Sequence, residues 1–425
     1  MAEQKPDEKP EEQKNAGEIL LDELTSAPSG SRWRQLRQTI LIPFLAVITG
    51  LIVSGIFIVL TTEDVYRAFG ESIGAGFQTT FSTIWGAYAA LFTGALGDPA
   101  TISAALSSGD SEAIRRAFNP FLESLVVSTP FIFAGLAVSL GFQTGLFNIG
   151  AEGQLFMGAT LATVVAYSFD GMPAIIHLPL ALIAGFIGGG LWGMIPGWLK
   201  ARTGAHEVIN TIMMNFIAIQ FLNWLLRGPI QDPDSSNPIS PLILDSAKLP
   251  RFFEQPIRFH LGFFLSLVFA WIVWWFLYKT KWGFSLRMVG ANPNAARYAG
   301  VNIVSATVIA MSLSGALAGL AGANEILGIN HRLTASFSAG IGFDAIALAL
   351  LGKNHPAGVV FAALLFGTLK NGAVRMQVAA GIPIDIIAVV QALVLAFIAA
   401  PAIVRTIYRL RETGDDEALV TSTWG

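Results

Sequence analysis

Residues 121–168 read FLESLVVSTPFIFAGLAVSLGFQTGLFNIGAEGQLFMGATLATVVAYS. Two stretches long and apolar enough to cross a bilayer flank a polar, glycine-broken centre, G-L-F-N-I-G-A-E-G-Q at 145–154. Three glycines and the polar set Asn148, Glu152 and Gln154 do not suit a helix that faces lipid. A carboxylate at membrane depth costs several kcal/mol unless it meets water or a partner. Backbone released from a helix there is tolerated only under a cover of protein or beside a cavity. The run therefore reads in one of two ways. It is a broken helix lining a path through the membrane, or a turn between two spans in which Glu152 caps the second through its N-terminal amides.

The rest of the chain agrees with a membrane setting. Of 425 residues 53% are hydrophobic and 13% are charged, against about 25% charged in soluble domains; the mean hydropathy is +0.59. The charges concentrate in residues 1–38 and 405–425. The absence of cysteine excludes disulfides, thiolate nucleophiles and Cys-based metal sites. A net charge of −3 argues against a nucleic-acid partner. The five histidines show no metal-ligand spacing. The one Gly-Lys pair, Gly352-Lys353, is followed by Asn354, so the chain carries no P-loop of its own and no catalytic constellation.

Residues 1–30, rich in Glu, Lys, Gln and Pro, read as a disordered acidic tail. Arg32, Arg34 and Arg37 precede a charge-free run at 39–60, a signal-anchor span entered from the cytosol. Further spans are expected at about 121–142, 146–168, 174–198, 208–227, 259–278, 303–327, 339–352, 357–374 and 384–404. With both termini cytosolic, most Lys and Arg fall inside, among them Lys200, Arg202, Lys279, Lys281, Arg287, Arg297, Lys353 and Arg405. The expected fold is an all-α polytopic membrane protein with a permease domain at 39–404 and a second cytosolic tail at 405–425. Residues 61–120 are external, and the aromatics Phe77, Phe81, Trp85, Tyr88 and Phe92 suggest an interfacial helix over 73–97. The Pro- and Asp-rich loop 228–258 is external and irregular.

Small residues mark close helix packing: Gly185, Gly189, Gly193 and Gly197 in one span, Gly315, Gly319 and Gly322 in another. A faint repeat runs through the chain. Ala134-Gly135-Leu136-Ala137 returns as Ala318-Gly319-Leu320-Ala321, each ahead of a polar, glycine-broken stretch (145–154 and 340–344). Transporters often duplicate a bundle and break helices at matching positions.

Three further segments carry polar residues in suggestive places. At 200–215, Asn210 and Asn215 enter a span, where amides either bond neighbouring helices or face a polar permeant. The cytosolic stretch 279–302 ends G-A-N-P-N-A-A-R-Y-A-G-V-N; Pro293 after Asn292 starts a short helix, a docking knob for another subunit or a plain connection. At 338–352 the apolar part is too short for a span and fits a half-helix with Asp344 near its positive end. Glu325 beside Asn324, and Asp385, are further acids at or near membrane depth.

These residues resemble the permease subunits of ABC importers, in the branch that moves nucleosides and simple sugars and is related to the ribose and branched-chain amino-acid permeases. The resemblance runs from Phe121 to Arg405. Its motifs are the runs at 145–154, 200–215, 290–302, 313–323 and 342–356 (G-F-D-A-I-A-L-A-L-L-G-K-N-H-P), in the family's order. It implies a multi-pass protein of the cell's inner membrane in which Phe147, Asn148, Glu152, Gln154, Asn215, Asn324, Glu325 and Asp344 line the substrate path. It implies that Gly290, Asn292, Pro293, Ala295, Ala296 and Gly300 contact an ATPase. The partners implied are a second, similar permease, an external substrate-binding lipoprotein and ATP-binding subunits that hold the ATP; this chain would bind membrane lipid and a small solute, with no cofactor or metal of its own. The N-terminal tail and an apparent insertion at 100–120 depart from the family pattern. The alternative is an ion-coupled secondary transporter with Glu152, Glu325, Asp344 and Asp385 as ion sites.

Overall fold

The computed structural model describes residues 32–409; the tail expected at 1–30 lies outside the described residues, as does most of the one expected at 405–425. The chain begins with α1 (Arg32–Thr61), α2 (Glu63–Glu71), α3 (Ile73–Leu96) and α4 (Pro99–Ser108). The long α5 (Ser111–Gln143) follows, then α6 (Ala151–Ser168), α7 (Ala174–Thr203) and α8 (Glu207–Leu226). After the irregular segment 227–261 come α9 (Gly262–Lys279), α10 (Lys281–Ala291) and α11 (Pro293–Tyr298). The last group is α12 (Ile303–Glu325), α13 (Ile341–Leu351), α14 (Pro356–Ala380), α15 (Ile384–Ala399) and α16 (Pro401–Ile407). Seven of these, α1, α5, α7, α8, α9, α12 and α14, are long and apolar enough to cross a membrane.

Three of the ten expected segments are not long apolar crossing helices, one of them being the half-helix expected at 338–352. The span read at 146–168 opens with a non-helical segment to Gly150 and becomes helical only at Ala151. Most of α6 is buried against protein, so its surroundings and not its own hydropathy keep it in the bilayer. The runs at 339–352 and 384–404 become the short apolar helices α13 and α15. The stretch 101–119 is no loose loop: Asp98 and Asp110 cap α4 and α5 with their carboxylates, and α5 starts ahead of the residue 121 expected from hydropathy. The aromatic helix α3 exposes Phe77, Phe81, Trp85 and Phe92 along one side. Its other side is fixed to the bundle, with the Tyr88 hydroxyl donating to Leu51 O in α1 and Asn371 of α14 donating to Gly94 O.

The faint repeat has a structural counterpart. α7 packs along α12, and α14 packs along α5. A Cβ on Gly135 would reach Val359 of α14, and one on Gly319 would enter the backbone of Gly185 and Gly189 in α7. Matching glycines in the two halves thus each meet the third helix of the opposite half. A close approach runs along the α7–α12 seam, where Gly185, Gly189 and Gly193 face Gly315 and Gly319 backbone to backbone. α6 joins that seam through Gly158, whose added Cβ would overlap Gly319.

Gly319→Val is expected to abolish the folded permease, because its side chain would meet the Gly185 carbonyl, which cannot withdraw. Gly86→Ala, at an open position in α3, should behave as wild type. The monodisperse fraction in size-exclusion chromatography of detergent extracts separates the two.

Candidate functional site

The polar run at 145–154 builds a junction inside the bundle. α5 ends at Gln143, and Gly145 turns the chain back with a φ of +71°, a conformation glycine adopts without strain. Asn148 then closes on itself and its neighbours. Its side-chain amide donates to Gln154 Oε1 and to Ser314 Oγ, both at 2.7 Å. Its oxygen accepts from the Gly150 amide and from Gln154 Nε2, both at 3.0 Å. Ser314 passes the connection on by donating to Ala137 O at 2.6 Å. Asn215 on α8 receives the Gly153 amide at 2.8 Å and donates to Ile149 O at 2.9 Å, which caps the open end of α6.

Glu152 reaches the other half of the protein. Oε1 accepts the Ser338 hydroxyl and Oε2 accepts the Gly342 amide, each at 2.6 Å. Gly342 lies in the first turn of α13, so the carboxylate of one interrupted helix caps the amide end of another. Of the two sequence readings, capping is what the side chain does, though across the repeat and not on its own helix. A Cβ on Gly342 would overlap the Glu152 backbone, so the two helix ends abut without a gap.

The remaining residues expected to line a path fall into three groups. Asn148, Glu152, Gln154 and Asn215 are buried and bonded as described. Asn324 and Glu325 are buried at the end of α12; Asn330 lies 3.4 Å from Glu325, and neither polar atom of the Asn324 amide has a partner. Phe147 and Asp344 reach the surface, Phe147 edge-to-face with Phe142 and Asp344 paired with Lys370 at 3.2 Å. Asp385 begins α15, exposed and away from these groups. Among the described residues no three His, Cys, Asp or Glu side chains gather closely enough to hold a metal ion.

The segment 279–302 forms α10 and α11. Asn292 caps α11 by accepting the Asn294 and Ala295 amides at 3.0 Å, ahead of Pro293 at the first helical position. Asn292, Pro293, Ala295 and Gly300 are exposed, whereas Ala296 is fully buried among Leu146, Leu286 and Val289. Gly290 presses against residues 143–145, where an added Cβ would fall 2.7 Å from Gln143 O. The root of the polar run and the 279–302 segment are therefore in direct backbone contact. Sequence reasoning missed several residues here. Tyr298 is 95% exposed at the tip of α11. Ser314, Ser338 and Lys370 complete the junction and its surroundings, and serines and a single lysine inside apolar runs carry no periodic signal.

An all-helical bundle with two interrupted helices meeting end to end defines a polytopic membrane permease. The chain belongs to the family described as branched-chain amino acid transport system / permease component, whose model matches residues 121–405. It is 40% identical over 381 residues to the guanosine ABC transporter permease protein NupP of Bacillus subtilis, covering 88% of this chain and 97% of that one. It is 32% identical to the nucleoside ABC transporter permease protein NupB of Lactococcus lactis, over 86% of this chain and 92% of that one. A third relative, the glucose ABC transporter permease protein TsgB13 of Haloferax volcanii, is 38% identical over 65% of this chain and 75% of its own. No solved structure matches the chain.

Glu152→Ala is expected to destabilise the permease by about 1–3 kcal/mol, because the buried Gly342 amide and Ser338 hydroxyl lose their acceptor. Ser338→Ala should cost less, since the Gly342 amide still reaches the carboxylate. Thermal denaturation of the detergent-solubilised protein gives both values.

Proposed function

We propose that this chain is the membrane-spanning subunit of an ATP-driven importer of nucleosides. The observation that carries the reading is the near end-to-end similarity to the guanosine permease, which extends beyond residues 121–405. Similarity to the glucose permease covers less of either chain. The chain makes and breaks no bonds; ATP is hydrolysed on partner subunits at the cytosolic face. A second permease, of this or a related sequence, completes the bundle, and an external substrate-binding lipoprotein delivers the solute. Both termini lie in the cytosol.

In this reading α11 is the docking element. It offers an exposed aromatic, Tyr298, and exposed Arg297, Asn292 and Ala295, on a base anchored by buried Ala296. Force applied there passes through Gly290 to Gly145 and into the Asn148–Gln154–Ser314 network. The ion-coupled alternative is less favoured, because it gives α11 no partner and leaves the family membership without a role.

Tyr298→Ala is expected to lower ATP-dependent nucleoside uptake about tenfold, the scale of removing one aromatic interface anchor, with the permease still folded. Ala296→Trp and Gly290→Trp are poorer probes, because both side chains would enter packed protein and disturb the bundle first. Uptake into energised vesicles tests the reading. Uptake that survives ATP depletion and collapses with an uncoupler overturns it in favour of ion coupling.

A further inference from the structure

Of the three acids expected on a path, Asp344 is the one whose side chain is substantially exposed. Glu152 is consumed by Ser338 and Gly342, and Glu325 is buried. Asp344 lies two residues beyond Gly342, whose amide binds Glu152, so its depth is set by the junction between the halves. Its side chain is 36% exposed, and that of Lys370 is 32% exposed. Lys370 donates to Asp344 Oδ2 at 3.2 Å, and no described residue donates to Oδ1. The ammonium also rests over the rings of Phe131 and Phe366, 4.9 and 5.6 Å from their centroids.

A half-open ion pair at this depth does not face acyl chains, because desolvating its open side costs several kcal/mol. Its open side faces water, polar solute or a polar surface of the second permease, and labelling separates the first two from the last. The pair is electrically neutral, so it suits a neutral solute and has no use for a permeant ion. The open carboxylate oxygen accepts hydroxyl hydrogens, and an ionised acceptor makes the stronger hydrogen bonds. Phe343 beside it is 46% exposed and offers an aromatic ring to an apolar or planar face.

We propose that Asp344, held in place by Lys370, faces the water-filled path of the assembled transporter and accepts hydrogen bonds from the vicinal hydroxyls of the passing solute. The choice of solute class rests on the nucleoside reading; the placement on the path does not.

Two measurements on the complete transporter in membrane vesicles test it. The chain has no cysteine, so Phe343→Cys and Val374→Cys, two exposed positions on this face, are the sole labelling sites it contributes. Both should react with a charged, membrane-impermeant thiosulfonate, and guanosine should slow the reaction. Failure of both to react overturns the placement. The second measurement is the ratio of guanosine uptake to dideoxyguanosine uptake, each at saturating binding protein. Asp344→Asn should lower that ratio about tenfold, the scale of one hydrogen bond to a charged group. An unchanged ratio, with both rates lowered alike, overturns the hydroxyl contact and leaves a structural pair. So does full rescue with an unchanged ratio when Asp344→Lys is combined with Lys370→Asp. If wild type takes up no nucleoside, the substrate reading and the hydroxyl contact both fail, and the labelling result still decides the placement.

Discussion

A chain that leaves the helix inside a bilayer exposes amides and carbonyls that no water is there to satisfy. This protein does so twice, at the start of α6 and at the start of α13, and it meets the cost by making each break serve the other. Glu152 leaves α6 and takes the amide of Gly342 and the hydroxyl of Ser338. Asn215 comes from α8 to take the Gly153 amide, and Asn148 folds back onto Gly150 and Gln154. Each of these polar side chains would be a liability alone in an apolar core. Together they replace the backbone bonds that the two breaks remove.

The junction closes only because the surrounding helices approach unusually near to one another. The α7–α12 seam is built on facing glycines, and α6 reaches it through Gly158. In lipid the packing itself, not the exclusion of water, holds such a seam, so small residues do there what leucines do in a soluble core. The two halves use the device unequally: the first-half contact is glycine against valine at Gly135 and Val359, and the second is glycine against glycine. In the second half α14 is packed as tightly, Gly367 against Ser128 of α5 and Gly372 against the Leu91 carbonyl of α3.

Much of this was readable in the sequence, and the reasons for the failures are physical. Glycine stripes, a carboxylate in an apolar run and a proline after asparagine each have a local meaning, and the helices, the seam and the α11 cap follow from them. The role of Glu152 did not follow, because its donor, the Gly342 amide, lies 190 residues away and local rules assign a helix-end carboxylate to its own helix. Lys370 was silent for a related reason. One lysine in an otherwise apolar segment looks like a residue near a membrane boundary until the fold sets it beside Asp344. The span at 146–168 begins later than hydropathy suggested, at Ala151, because residues 146–150 are held by side-chain bonds in a largely buried turn that hydropathy does not distinguish from helix. The stretch at 100–120 is helical, with Asp98 and Asp110 as its helix caps.

The arrangement also separates what can move from what cannot. The seam between α7 and α12 is continuous backbone contact, and sliding it by one residue would drive side chains into carbonyls. The contact between the halves at Glu152 is a single point where two helix ends abut, joined by two hydrogen bonds that exchange for others at a cost of a few kcal/mol. In the docking proposed at α11, motion would enter at Gly290 and Gly145, at the root of α6, and not at the seam. In an importer that alternates between two openings, the bistable element is then the pair of abutting helix ends, and the glycine spine is the frame against which they shift. The most polar point of the interior is for that reason also the one best able to change partners.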